Sequence, residues 1–223
     1  MSVLEEKVRE QVRDMFTALK EPVKLIVFTQ GELIKVPGVE CESCKDNRLL
    51  MEEVISLSDK LSVEVYDFVK DTDKVTEYGI DKIPATIVKN EKDYGIRLYG
   101  MPAGYEFSAL LNAIQMVSTG ESGLSEDSKH KLKSVSKPVH IQVFVTLTCP
   151  YCSSAVALGH RVAYQSEMIK ADMINAQEFP QLAQKYNVFA VPKVVINETT
   201  HFEGALPEDR FLEKIVHSIS SAT

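Results

Sequence analysis

Apolar positions along the chain follow two alternating rhythms: short β-branched and aromatic runs, and stretches where apolar residues recur every three to four positions. These are the periods of strands and of amphipathic helices. Val23–Thr29 and 139–146, each just after a proline (Pro22, Pro138), predict strands. Leu50, Val54 and Leu57, and later Ala155, Leu158 and Val162, predict the helices that follow. Runs at 61–68 and 168–174 predict further strands, and short helices lead to Tyr78 and Tyr186. Pro84 and Pro192 each open an apolar run, at 85–88 and Lys193–Ile196, as prolines do at a strand's first residue. Residues 95–99 and 201–203 predict hairpin partners. Two final helices carry buried stripes, Phe107, Leu110, Leu111 and Ile114 in one, Phe211, Leu212, Ile215, Val216 and Ile219 in the other. Each half thus reads β-α-β-α-β-β-α: an α/β arrangement with a mixed sheet flanked by helices on both faces. An extra helix precedes each half, through Leu4, Val8, Val12, Met15 and Leu19 in the first and over 124–135 in the second.

The two halves are a repeat. Cys41 to Pro84 is 43 positions, and so is Cys149 to Pro192. The segment from Tyr78 through Pro84 to Val88 aligns with that from Tyr186 through Pro192 to Ile196 at an offset of 108, whereas Pro22 and Phe28 match Pro138 and Phe144 at an offset of 116. Eight extra residues therefore lie in 31–40, ahead of the first cysteines. The small, polar, Gly-bearing segment 118–123 divides the chain into units 1–120 and 121–223, and its shortness implies that the halves pack together.

Composition narrows the chemistry. With 44% apolar and 26% charged residues the chain can form real cores. A net charge of −7 argues against nucleic acid as a partner. No stretch approaches the ~18 apolar residues of a membrane span. The opening MSVLEEKVREQVRDMF has early acidic residues and no apolar run, unlike a secretory signal, so a cytoplasmic location and no membrane partner are expected. The five histidines, His130, His140, His160, His201 and His217, show no paired ligand spacing, and no metal site is expected from them.

All four cysteines fall in two Cys-x-x-Cys pairs, Cys41-Glu42-Ser43-Cys44 and Cys149-Pro150-Tyr151-Cys152. Two intervening residues close too small a loop for a good structural staple. At a strand-to-helix junction they suit redox exchange. The first sulfur sits at the helix N-terminus, where unpaired amides and the dipole favour a thiolate; the second waits in the first turn to resolve a mixed disulfide. Cys41 and Cys149 are then nucleophiles, and Cys44 and Cys152 resolving thiols. A four-cysteine zinc site is the competing reading, but zinc ribbons keep their pairs ~15–20 residues apart, against 104 residues here. Ile83-Pro84 and Val191-Pro192, at matched distances from the cysteines, are expected to be cis and to offer the Ile83 and Val191 amides to an extended substrate.

With these residues the chain resembles the tandem thioredoxin-fold protein disulfide oxidoreductases of thermophilic archaea and bacteria, also called glutaredoxin-like proteins. The resemblance rests on both Cys-x-x-Cys pairs, on Ile83-Pro84 and Val191-Pro192, and on Tyr99-Gly100-Met101-Pro102-Ala103-Gly104. It implies two thioredoxin-like units, 1–120 and 121–223, that reduce, form or isomerise disulfides in protein substrates. It implies no bound cofactor, with electrons from NADPH through a thioredoxin-reductase-like flavoenzyme. Single-domain thioredoxins carry a buried aspartate on the strand before the cysteines; Val27 and Val143 stand there instead, so the proton acceptor for the resolving thiols is another residue or water.

The two sites are expected to differ. Glu42 opposes a thiolate at Cys41, whereas Pro150 and Tyr151 add no charge, and Lys193 would add positive potential if it pointed towards Cys149. Cys149 is thus expected to be the more acidic thiol and its pair the more oxidising. Two alternatives compete with a general oxidoreductase: a dedicated carrier from a flavoprotein to a peroxidase such as a peroxiredoxin, and a non-enzymatic chaperone or binding module with incidental thiols.

Overall fold

The computed structural model describes residues 3–31 and 41–220; most of the eight-residue excess lies outside them. The elements follow the two predicted rhythms. In the first half they are α1 (Glu6–Phe16), β1 (Val23–Thr29), α2 (Cys44–Ile55), β2 (Leu61–Asp67), α3 (Thr72–Tyr78), β3 (Ala85–Lys89), β4 (Asp93–Tyr99) and α4 (Glu106–Thr119). The second half repeats them as α5 (Glu126–Leu132), β5 (Val139–Val145), α6 (Cys152–Gln165), β6 (Ile169–Asn175), α7 (Pro180–Lys185), β7 (Lys193–Ile196), β8 (Thr200–Glu203) and α8 (Glu208–Ser220). Two residues expected in buried stripes are exposed, Met15 and Val216. Val216 follows Ile215, and the ~100° step per helical residue carries it off the face that Phe211, Leu212 and Ile215 bury.

The two sheets are one. Strand order is β2-β1-β3-β4-β6-β5-β7-β8, so each half contributes the same four-strand order and the halves meet edge to edge. At the joint β4 runs parallel to β6, with Ile96, Arg97, Leu98 and Tyr99 opposite Ala171, Asp172, Met173 and Ile174. One edge of each unit is thereby paired, and β2 and β8 remain the edges of the combined sheet.

Alternation along the strands divides the core. Leu25 and Val27 share one face with Val143, Leu110, Ile114, Val156 and Phe211, under the long helices α1, α2, α4, α6 and α8. Ile26 and Phe28 share the other with Phe144, Ile87 and Val195, under Val75 of α3 and Leu182 of α7. The repeat extends to aromatic contacts: Phe28 meets Tyr78 at 5.9 Å and Phe144 meets Tyr186 at 5.5 Å between ring centroids. His160 is fully buried, with Nε2 3.3 Å from the Arg97 carbonyl, and burial pushes it down to about 4. It is a neutral core residue at neutral pH. Among the described residues no helix is long and apolar enough to cross a membrane.

Candidate active site

Strands β1, β2, β4, β5 and β6 point the same way, because β1 pairs parallel with β2, β4 and β5 pair parallel with β6, and antiparallel β3 lies between β1 and β4. The loops after β1 and β5 therefore emerge at one end of the sheet. Those loops carry the cysteines. Cys41 is disulfide-bonded to Cys44 and Cys149 to Cys152, each pair with Cα atoms 5.5 Å apart. Each sulfur is thus paired within its own unit.

Each helix begins on its second cysteine. Ser43 and Tyr151 stand at the N-caps of α2 and α6 with nearly the same backbone, φ −93° and ψ −1° or −13°, and neither side chain caps the helix. Neither N-cap side chain takes up a first-turn amide at the end where the sulfurs lie, and the helix N-terminus and its dipole favour an anion there. Cys44 and Cys152 are buried at 2% and 0% exposure, whereas the first cysteines lie nearer the surface, before the helix rather than in its first turn. That ordering gives the outer sulfur access and the inner one shelter.

The Ile83–Pro84 and Val191–Pro192 bonds are both cis. The Cys149 sulfur lies 3.7 Å from the Val191 carbonyl oxygen, so the proline turn faces the sulfur. After each proline the chain is fixed alike: Gly100 N–H donates to the Pro84 carbonyl at 2.9 Å, and Gly204 N–H to the Pro192 carbonyl at 2.8 Å. Among the described residues neither the Ile83 nor the Val191 amide donates to a backbone acceptor. In the first unit the helix is tied to the proline strand by Asn47, buried one turn after Cys44, whose Nδ2 donates to Thr86 Oγ1 at 3.2 Å. Lys193 does not serve Cys149: its ammonium donates to the Asn187 carbonyl at 2.9 Å and lies 3.8 Å from Glu203.

The family model for the thioredoxin domain matches residues 32–112 and 139–217, more than half of the chain and one match in each half. The chain belongs to the thioredoxin domain family. Its thioredoxin domains, in tandem, superpose on a protein disulfide oxidoreductase from Aeropyrum pernix with a TM-score of 0.89 at 31% identity, covering 99% of this chain and 96% of that one. Among curated relatives, an NADH dehydrogenase from Bacillus subtilis is 24% identical over 82% of this chain and 34% of its own length. The F component of alkyl hydroperoxide reductase from Staphylococcus aureus is 24% identical over 88% of this chain and 37% of its own. The chain spans about a third of the length of these curated relatives.

The rims of the two thioredoxin-domain sites differ. Around Cys149 three aromatic side chains stand exposed: Tyr151 at 70%, Phe189 at 90% and Tyr105 at 51%. Tyr151 lies between the cysteines, Phe189 two residues before Val191, and Tyr105 donates its N–H to the Leu147 carbonyl of the redox loop at 3.2 Å. At the repeat-equivalent positions the first site has Ser43 for Tyr151 and Asp81 for Phe189.

One titratable group at this end was not legible from the sequence. Glu106 opens α4, is fully buried, and neither carboxyl oxygen has a partner among the described residues. Burial alone pushes it up to about 8. Because α4 packs along α6, and because Tyr105 beside it bonds the Leu147 carbonyl, Glu106 stands at the same end of the molecule as Cys152, which opens α6. In the sequence it reads as an ordinary first-turn acid.

Proposed function

We propose that the chain is a thiol–disulfide oxidoreductase acting on protein disulfides through Cys41/Cys44 and Cys149/Cys152, in units 1–120 and 121–223. One observation carries the reading: each unit presents an outer and an inner cysteine, already joined as a disulfide, at the uncapped N-terminus of a helix. In the reduced protein the outer thiolate attacks a substrate disulfide, forming one S–S bond and expelling a substrate thiolate. The inner cysteine then loses its proton and attacks the outer sulfur, which releases the second substrate thiol. Two electrons leave the dithiol and the pair ends as a disulfide. Run in reverse, the same steps oxidise a substrate dithiol. Ile83-Pro84 and Val191-Pro192 hold the substrate strand beside the sulfurs, an assignment supported by their unpartnered amides. Glu106 is the proton acceptor for Cys152, supported by its burial beside α6 and a pKa near the working pH.

The second site is the substrate-facing one, since exposed aromatic rings offer rigid apolar area to an extended polypeptide. A flavoprotein reductase drawing on NADPH or NADH would return the electrons. The curated relatives favour a second reading, in which the chain is a dedicated carrier between such a reductase and a peroxidase. Insulin reduction with NADPH or NADH and a thioredoxin reductase tests both. Wild type should turn insulin over and Cys149/Cys152→Ser should lose most of that activity, with Cys41/Cys44→Ser losing less. Slow insulin reduction beside rapid reduction of a peroxiredoxin would establish the carrier instead, and full activity with all four cysteines replaced would end both readings.

A further inference from the structure

A carboxylate reaches the first redox loop from the other unit. Glu178 lies in the turn between β6 and α7. Its Oε2 accepts a hydrogen bond from the Ser43 hydroxyl, and its Oε1 accepts from Asn175 Nδ2 at 2.7 Å and from the Met101 N–H at 2.8 Å. The three donors come from the first redox loop, the end of β6 and the β4–α4 connection, and together they fix the carboxylate in one place. Ser43 stands between Cys41 and Cys44. Strand order creates this contact: β6 pairs with β4 at the joint, so the turn after β6 opens at the same end as the loop after β1. The repeat-equivalent position in the first unit is Lys70, which follows β2 at the outer edge of the sheet. The repeat therefore supplies no matching carboxylate to the second loop.

We propose that Glu178 is a redox-tuning, positioning residue of the first pair, a carboxylate brought across the joint onto Ser43 that disfavours the Cys41 thiolate and makes Cys41/Cys44 the more reducing of the two sites. A negative charge beside a forming thiolate opposes it. Destabilising the thiolate favours the disulfide over the dithiol, which lowers the reduction potential. The neighbouring charges on the redox loop and α2 are Glu42 and Asp46 of one sign, and Lys45 and Arg48 of the other, Arg48 being paired with Glu52 at 2.7 Å. Asp67 faces Lys45 and Arg48 across the adjoining cavity. All of them remain in a Glu178 variant, so its effect isolates this one charge. Together with the exposed aromatic rim at Cys149, the contact gives the sites different work: the first passes electrons on, and the second meets the substrate.

The inference rests on the disulfide-exchange reading, but its test needs no protein substrate. Glu178→Gln keeps the shape and removes the charge. It is made in the Cys149/Cys152→Ser background, equilibrated against dithiothreitol or glutathione buffers, and read by alkylation. The first pair's equilibrium constant should shift roughly three- to tenfold towards the dithiol, tenfold being about 30 mV, and Cys41 should alkylate at lower pH. Ser43→Ala, which leaves the carboxylate held by Asn175 and Met101 but cuts its bond to the redox loop, should shift both in the same direction by less, and it carries the test should the glutamine variant fold poorly. In the Cys41/Cys44→Ser background Glu178→Gln should leave the second pair unchanged. An unmoved first-pair equilibrium, or equal shifts at both pairs, overturns the proposal. Loss of insulin reduction with the potentials shifted as expected would instead count against the protein-disulfide reading alone.

Discussion

Among single residues, Glu106 has its acid–base chemistry changed by burial alone. Its neutral form is the one the interior accepts, so its folded pKa of about 8 stands above its ordinary value of 4.5. The folded state then binds more protons than the unfolded state between those values, and stability falls as pH rises from about 4.5 to about 8, levelling off above. At roughly 1.4 kcal/mol for each pH step between the two values, the penalty at alkaline pH is on the order of a few kcal/mol. Glu106→Gln should therefore match wild type in denaturant unfolding near pH 5 and exceed it near pH 9. A gap of the same size at both pH values would show that this carboxyl does not titrate across the range. The same variant should slow resolution of the second-site mixed disulfide by roughly 10²-fold, while leaving that of the first site near wild type. If both sites slowed equally, the assignment to Cys152 would fail.

The elements were largely legible in the sequence, because strands with a period of two and helices with a period near 3.6 leave marks within ten or fifteen residues. Val23–Thr29 is bounded as expected, and both Cys-x-x-Cys pairs fall at strand-to-helix junctions because Pro22, Pro138 and the repeat frame them. What escaped depends on long-range neighbours: whether Glu106 faces water, where Lys193 points, and that Glu178 meets Ser43. The connection between β4 and α4 shows the same limit. Its Gly100-Met101-Pro102-Ala103-Gly104 run stood out as a motif, yet its role follows only from where it lands, touching Glu178 at Met101 and Leu147 at Gly104. Gly104 has φ +57°, and a Cβ there would lie 2.3 Å from the Leu147 carbonyl oxygen, a backbone atom with little freedom to move. Gly104→Ala should cost roughly 2–4 kcal/mol from the left-handed backbone and the displaced loop together. It should also change the second pair's potential more than the first's. Full stability in chemical denaturation would mean that the Leu147 loop yields freely.

At the scale of the whole molecule, pairing β4 with β6 changes what the repeat can do. Either unit alone would expose β4 or β6 as an edge strand with unpaired amides and carbonyls; joined, they bury Ile96, Leu98, Ala171 and Met173 in one cluster with α4 and α6. The repeat predicted two like units packed together and could not predict this pairing, because a parallel pairing between distant strands has no local signature. The joint also breaks the equality: it puts β4's loop beside Leu147 and β6's turn beside Ser43, so each redox loop is partly built by the other unit. Units sharing a sheet and a core should unfold together. Leu98 is fully buried at the joint, and Leu98→Ala should cost about 2–5 kcal/mol. That cost should lower the midpoint of one calorimetric transition, whose van't Hoff and calorimetric enthalpies agree. Alkylation of Cys44 and Cys152 in the reduced protein, each buried within a different unit, should accelerate by the same factor in this variant, since the same opening exposes both. Two separated transitions, or faster labelling of Cys44 alone, would mean that the sheet is continuous in geometry but not in energy.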